Sequence, residues 1–144
     1  MNMKATAVAP SNIAFIKYWG KKDEILRLPE NGSISMNLSN LLTTTTVEFS
    51  DSYKQDMVIY NGAKESLVGN RAITHIDRIR KLAKIATNVK VVTENNFPSS
   101  TGLSSSASGF AALTVAASNA AGLKLSEKEL SVLARQGSGS ACRS

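Results

Sequence analysis

Residues 94–109 read "ENNFPSSTGLSSSASG", a run dominated by serine, threonine and glycine. Such a run is either a flexible linker or backbone shaped to hold an anion, and its flanks decide between the two. Before it, "VKVVTENN" (89–96) has the composition of a strand. After it, "LSSSASGFAALTVAASNAAG" (103–122) predicts a long alanine-rich helix closed by Gly122 at C′. A stretch that joins a strand to a helix, with no change of composition beyond, does not separate domains. The helix is expected to begin inside the serine run, near Ser104 to Ser106, where unpaired backbone N–H groups and the positive dipole end suit an anion. Gly102 lets backbone approach a ligand closely. Ser105 and Ser106 add hydroxyls for phosphate oxygens or a Mg²⁺ shell, and Pro98 stiffens the entry. The competing reading is an ordinary helix cap with small residues for packing. It is not a Walker A loop, because no Gly-Lys-Ser/Thr follows the glycine.

Working outward, the first half carries β signals. Residues 4–9 alternate loosely and are expected to stop at Pro10. "IAFIKYW" (13–19) is a second β-prone run, followed by "GKKDEILRLPENG", which reads as a polar loop. "SISMNL" (33–38) places Ile34, Met36 and Leu38 on one face. "TTTTVEF" (43–49) is β-branched, and "MVIYNG" (57–62) ends in the hairpin signal Asn-Gly. Over 67–86, Leu67, Ile73, Ile76, Ile79, Leu82, Ala83 and Ala86 recur at helical spacing. Arg71, Arg78, Arg80, Lys81 and Lys84 lie mostly off that stripe and read first as a solvated face, with a phosphate or nucleic-acid face as the alternative. "SEKE" (126–129) is a capping box, Ser126 with Glu129, opening a helix to about Gln136. The expected fold is α+β, with helices on one face of a mixed or antiparallel sheet.

At 144 residues the chain is long enough for one domain. Its net charge of +6 suits anionic partners without choosing among nucleic acid, an anionic membrane surface and polyphosphates. No apolar run approaches the roughly 18 residues of a membrane span, and we read no signal peptide. The single cysteine, Cys142, excludes an intrachain disulfide, so a reducing, cytoplasmic setting is the simplest expectation. His75, the only histidine, sits beside the apolar stripe and reads as structural. The chain stops in "GSGSACRS" with no closing apolar element; a natural domain can end this way, and a truncated chain is an equal expectation.

"PSSTGLSSSASG" resembles the phosphate loop of the GHMP kinases, Pro-x-x-x-Gly-Leu-x-Ser-Ser-Ala. "APSNIAFIKYWGKKD", "ENNFPSSTGLSSSASGFAAL" and "GSGSACRS" are similar, in the expected order, to three signatures of the mevalonate diphosphate decarboxylase branch of that superfamily. The chain departs from the usual pattern at Ser99, Ser100, Ser104 and Ser108, where small residues such as alanine are commoner; size is kept. The resemblance implies residues 1–144 are a GHMP kinase N-terminal ATP-binding domain, lacking the C-terminal domain. Its fold is one shared with a ribosomal protein domain.

The activity implied is ATP-dependent decarboxylation of mevalonate 5-diphosphate to isopentenyl diphosphate, with Mg²⁺, in isoprenoid biosynthesis. Phosphorylation of a tertiary hydroxyl would create the leaving group, and the developing charges need positioned partners. By the same resemblance, Asn12 would lie near the substrate carboxylate and hydroxyl, and Lys17 near the reacting hydroxyl. Tyr18, Lys21, Ser138 and Ser140 would hold the diphosphate, and Arg143 would clamp the carboxylate with its planar fork. Pro98, Ser99, Ser100, Thr101, Gly102, Leu103, Ser104, Ser105, Ser106 and Ala107 would cradle the ATP phosphates, with Ser106 a metal contact. On residue type alone, Lys17 and Lys21 are also ordinary strand and loop charges, Tyr18 a sheet aromatic and Arg143 an end-of-chain charge.

Family members are considerably longer, and their aspartate beside the 3-hydroxyl has no counterpart here. We therefore expect little turnover from these residues alone, and exposed apolar surface where a packing partner is missing. The complete form is expected to be a homodimer that binds no nucleic acid and no membrane. Close rivals are a mevalonate 5-phosphate decarboxylase and a mevalonate 3-kinase. A nucleic-acid module of the same fold is disfavoured, because only 6% of residues are aromatic and none interrupts the basic helix.

Overall fold

Pro10 does not end the first strand. In the computed structural model, which describes residues 3–17, 20–64, 67–98 and 105–144, strand β1 runs unbroken from Lys4 to Ile16. A register shift falls between Pro10 and Ser11. The strand lies at the edge of the sheet, where a proline at a bulge is tolerated. The runs expected as two strands at 33–38 and 43–49 are likewise one strand, β4 (Ile34–Phe49), antiparallel to β1. Between them the expected polar loop contains a small separate hairpin, β2 (Lys21–Asp23) with β3 (Leu28–Pro29).

The main sheet continues with β5 (Met57–Tyr60), β6 (Ala63–Lys64) and β7 (Val89–Asn95) in the order β1-β4-β7-β5-β6. It is mixed: β5 and β7 are parallel, the other pairs antiparallel. Asn61 and Gly62 make the β5–β6 turn with φ of 46° and 80°, the pair of positive values a type I′ turn requires. Helix α1 (Leu67–Ala83) joins β5 and β6 to β7 and stops where Lys84 takes φ 55°. Helix α2 (Ser105–Ala120) ends at Gly122, φ 75°, as expected from sequence. Helix α3 (Glu127–Gly137) opens on the capping box, with Ser126 and Glu129 bonded in both directions.

These helices pack on one face, giving the expected α+β architecture. Inward residues Val47, Phe49, Val58, Val89 and Val91 meet Ile76 and Ile79 of α1 and the alanines of α2. Helix α2 is central and buried nearly all round, and its Ala, Ser and Gly residues let β1, β4 and α3 approach closely. The basic face of α1 is only partly solvated. Lys81 and Lys84 are not buried, but the Arg80 guanidinium bonds both oxygens of Asp56, Asp77 Oδ1 (2.8 Å) and the Thr87 carbonyl (3.1 Å). Burial pushes the Asp56 carboxyl up, but the Arg80 hydrogen bond, the Val89 N–H and the Arg80 charge together hold it below its ordinary value.

Over residues 34–42 of β4, which do not pair with β7, β1 and β4 project as a two-stranded arm. Its outer side carries Ile13 opposite Met36 and Ile16 opposite Ile34, with Phe15 67% exposed. A two-stranded ribbon with such a face is marginal alone in water.

Candidate functional site

Asn12 lies on β1 at the base of this arm and is fully buried. Its amide Nδ2 donates to the Ser140 carbonyl (3.2 Å) and to Ser144 Oγ (2.6 Å). Its Oδ1 accepts from Arg143 Nη2 at 3.5 Å, while Arg143 Nη1 donates to Ser33 Oγ at 2.8 Å. Arg143 is therefore ordered, in a 3-10 turn (Ala141–Arg143) anchored by fully buried Ala141. Three segments far apart in sequence converge on one guanidinium, whose fork is suited to a carboxylate.

A row of hydroxyls leads away from this cluster. Ser138, which caps α3 through its N–H to the Ala134 carbonyl, has Oγ 3.5 Å from Ser140 Oγ and 3.3 Å from Ser106 Oγ. Ser106 belongs to the first turn of α2, which contains no acidic residue. The helix start thus presents N–H groups and hydroxyls with no carboxylate of its own. Beside it opens a cavity of about 390 Å³, walled by Tyr60, Arg71, Thr93, Asn95, Ser106 and Phe110 among others. Arg71 lies over the Phe110 ring, 5.1 Å from its centroid, and donates to the Gly137 carbonyl at 3.4 Å.

The residues proposed from sequence are therefore brought together in part. Asn12, Arg143, Ser138, Ser140 and Ser106 form one continuous polar network. Ser105 is half-buried and Ala107 buried in the first turn of α2; Pro98 lies exposed at the end of the strand side. Lys17 is exposed just past β1, and its carbonyl accepts from Asn31 Nδ2 at 3.4 Å. Lys21 pairs with Glu24 at 3.0 Å. Tyr18, Ser99, Ser100, Thr101, Gly102, Leu103 and Ser104 lie outside the described residues.

Sequence reasoning missed Ser33, Ser144, Arg71, Tyr60 and Asn95. Arg71 was hidden in a helix face read as solvated, and the others carry no short-range signal. His75 is structural, as expected. Its Nε2 lies 2.8 Å from Thr114 Oγ1 and its Nδ1 3.2 Å from Arg78 Nη1. Thr114 gives its own proton to the Phe110 carbonyl (2.6 Å), so His75 donates from Nε2 and accepts at Nδ1. Burial, and secondarily the Arg78 charge, lower its pKa to about 4.

Comparison with known proteins extends this picture. A family described as the diphosphomevalonate decarboxylase-like N-terminal domain matches residues 9–144. A diphosphomevalonate decarboxylase of Debaryomyces hansenii is 45% identical over 154 aligned positions, covering 97% of this chain and 40% of that protein. The solved mevalonate diphosphate decarboxylase from Enterococcus faecalis superposes with a TM-score of 0.91 at 45% identity, covering 98% of this chain and 44% of that one. A solved structure of MDDEF in complex with MVAPP, AMPPCP and magnesium gives 0.90, again at 45% identity and covering 98% and 43%. The chain thus spans less than half the length of the relatives it matches.

Proposed function

This chain belongs to the family of diphosphomevalonate decarboxylase-like N-terminal domains, and from that premise we propose that it forms the nucleotide- and carboxylate-binding part of an ATP-dependent decarboxylase of mevalonate 5-diphosphate. The observation that carries this reading is the row Ser106–Ser138–Ser140, which runs from the helix start to the Asn12–Arg143 pair. A phosphoryl donor at one end and a carboxylate at the other would be held across a few hydrogen-bond lengths.

The residues fit the group the family implies. The first turn of α2 is free of acidic side chains, and the adjacent cavity has apolar walls for a base. Among the described residues no group of three His, Cys, Asp or Glu could hold a metal ion. Ser106 would offer a hydroxyl to Mg²⁺ arriving with the nucleotide, and the cation would supply charge neutralisation at the phosphates. Bound ATP would supply the phosphoryl group that turns the tertiary 3-hydroxyl into a leaving group.

The chain's own residues then act on geometry and charge. Arg143 holds the carboxylate in a bidentate fork, and Asn12, buried beside it, fixes the guanidinium. Lys17 stabilises negative charge at the reacting hydroxyl. Tyr18, Lys21, Ser138 and Ser140 hold the diphosphate, and residues 98–107 the ATP phosphates. On this reading residues 1–144 are one N-terminal ATP-binding domain, and a complete cleft needs the further length the relatives have. That length would cover the apolar arm around Phe15 and contribute the acid–base group beside the hydroxyl. The protein would act in the cytoplasm as a homodimer. Among the described residues, no helix is long and apolar enough to cross a membrane.

The test is product identification. The gene product, expressed whole, is incubated with Mg²⁺-ATP and either mevalonate 5-diphosphate or mevalonate 5-phosphate, and products are identified by mass. Isopentenyl diphosphate and CO₂ from the first substrate are expected. Isopentenyl phosphate from the second alone would replace the substrate, and a phosphorylated acid that keeps its carboxylate would replace decarboxylation by kinase chemistry.

A further inference from the structure

A chain of hydroxyl and amide groups, buried at Thr43 and Ser108, links the start of α2 to the opposite wall of the cavity. Thr43 of β4 is its centre and is fully buried. Thr43 Oγ1 lies 2.7 Å from Asn95 Oδ1 and 2.6 Å from Ser108 Oγ. The amide oxygen can only accept, so Thr43 spends its one proton there and accepts from Ser108. The alternative acceptor for Ser108, the Ser105 carbonyl, is farther at 3.3 Å. Asn95 Nδ2 then donates to the Tyr60 hydroxyl at 2.8 Å, and the Asn95 N–H donates to Asn61 Oδ1 at 2.9 Å. One donor sequence therefore runs Ser108, Thr43, Asn95, Tyr60, from the first turn of α2 across β4 and β7 to β5.

We propose that Thr43 is a positioning residue for the nucleotide, holding the anion-binding start of α2 in register with the Asn95–Tyr60 wall of the cavity. The proposal rests on the nucleotide reading above. Asn95 and Tyr60 line the cavity, whereas Thr43 and Ser108 do not, so Thr43 acts only through its neighbours. The inward positions of β4 change character along the strand: Phe49 and Val47 are apolar, while Thr45 and Thr43, toward the cavity end, are not. Valine would fill the volume of Thr43 with no polar group to satisfy. Burying a hydroxyl is costly unless it is bonded, and this one is bonded on one side to Asn95 of β7 and on the other to Ser108 of α2.

The test uses the whole gene product with Thr43→Val, Thr43→Ser and Ser108→Ala. Thr43→Val should raise the KM for ATP, and the Kd of a non-hydrolysable ATP analogue, about tenfold. The KM for the acid substrate should stay within about twofold, and Thr43→Ser should restore ATP affinity. Ser108→Ala breaks the chain from the helix side and should give the same ATP-selective loss; adding Thr43→Val to it should cost little more. Unchanged ATP affinity in Thr43→Val and Ser108→Ala, equal loss for both substrates, or failure of Thr43→Ser to rescue would overturn the proposal. Absence of ATP binding by the wild-type protein would instead overturn the nucleotide reading, and this inference with it.

Discussion

Replacing Gly137 with alanine asks the Phe110 ring to move. A Cβ built on Gly137 would stand 2.2 Å from Phe110 Cδ1 and 2.8 Å from Cγ. Non-bonded carbons prefer about 3.5–4.0 Å, so the ring must retreat or the end of α3 must lift. Neither is free to do so. The His75 ring meets Phe110 edge-on with centroids 5.5 Å apart, and the Arg71 guanidinium covers it. Overpacking of this kind costs about 1–3 kcal/mol, and the better helix propensity of alanine offsets at most about 1 kcal/mol. Gly137→Ala should therefore destabilise by about 1–2 kcal/mol in urea unfolding. The decisive comparison is a double-mutant cycle with Phe110→Leu, whose smaller side chain relieves the overlap. In that background Gly137→Ala should cost nothing, a coupling of about 1 kcal/mol or more. ATP affinity should fall with the single variant, because the Gly137 carbonyl anchors Arg71 and Ser138 follows directly. Equal costs of Gly137→Ala in both backgrounds would refute the reasoning.

His75 makes stability depend on pH. Its folded pKa, about 4, lies below the ordinary 6.5, so between those values the unfolded chain binds the extra proton. Relative to a His75→Gln variant, wild-type stability should be level above pH 7 and fall by about 3 kcal/mol as pH drops to 4; a flat difference across that window would reject the buried neutral ring. Arg143→Lys removes the fork between Ser33 and Asn12 while keeping the charge. It should lower kcat/KM for the acid substrate by about 10- to 100-fold, and retention within about twofold would remove Arg143 from carboxylate binding.

Features written in a few adjacent residues are legible in the sequence. Asn61-Gly62 can turn a hairpin because both residues tolerate positive φ, and Ser126 with Glu129 can cap a helix because three residues separate them. Pro10 misled, because whether a proline breaks a strand depends on which neighbour the strand has, and β1 has only one. Arg80 misled for a similar reason. Its partner Asp56 lies just before β5, and only the packing of α1 against that strand brings the two together. Within the site, the α2 start and Arg143 could be suspected from motif, whereas Ser33 and the Tyr60–Asn95 wall could not.

By itself, the sequence determined the helices, the Asn-Gly turn, the family and the chemical types at the site: a serine-rich helix start, lysines after the first strand, and an arginine after a Gly/Ser turn. Tertiary structure alone decided that Asn12 meets Ser144 across 132 positions, that Thr43 reaches both Asn95 and Ser108, and that Phe110 seats against Gly137. The physical reason is range. Backbone propensity and capping act over three or four residues, whereas these contacts exist only after strand register and helix packing have buried a shared core, and nothing local encodes which distant hydroxyl will be waiting there.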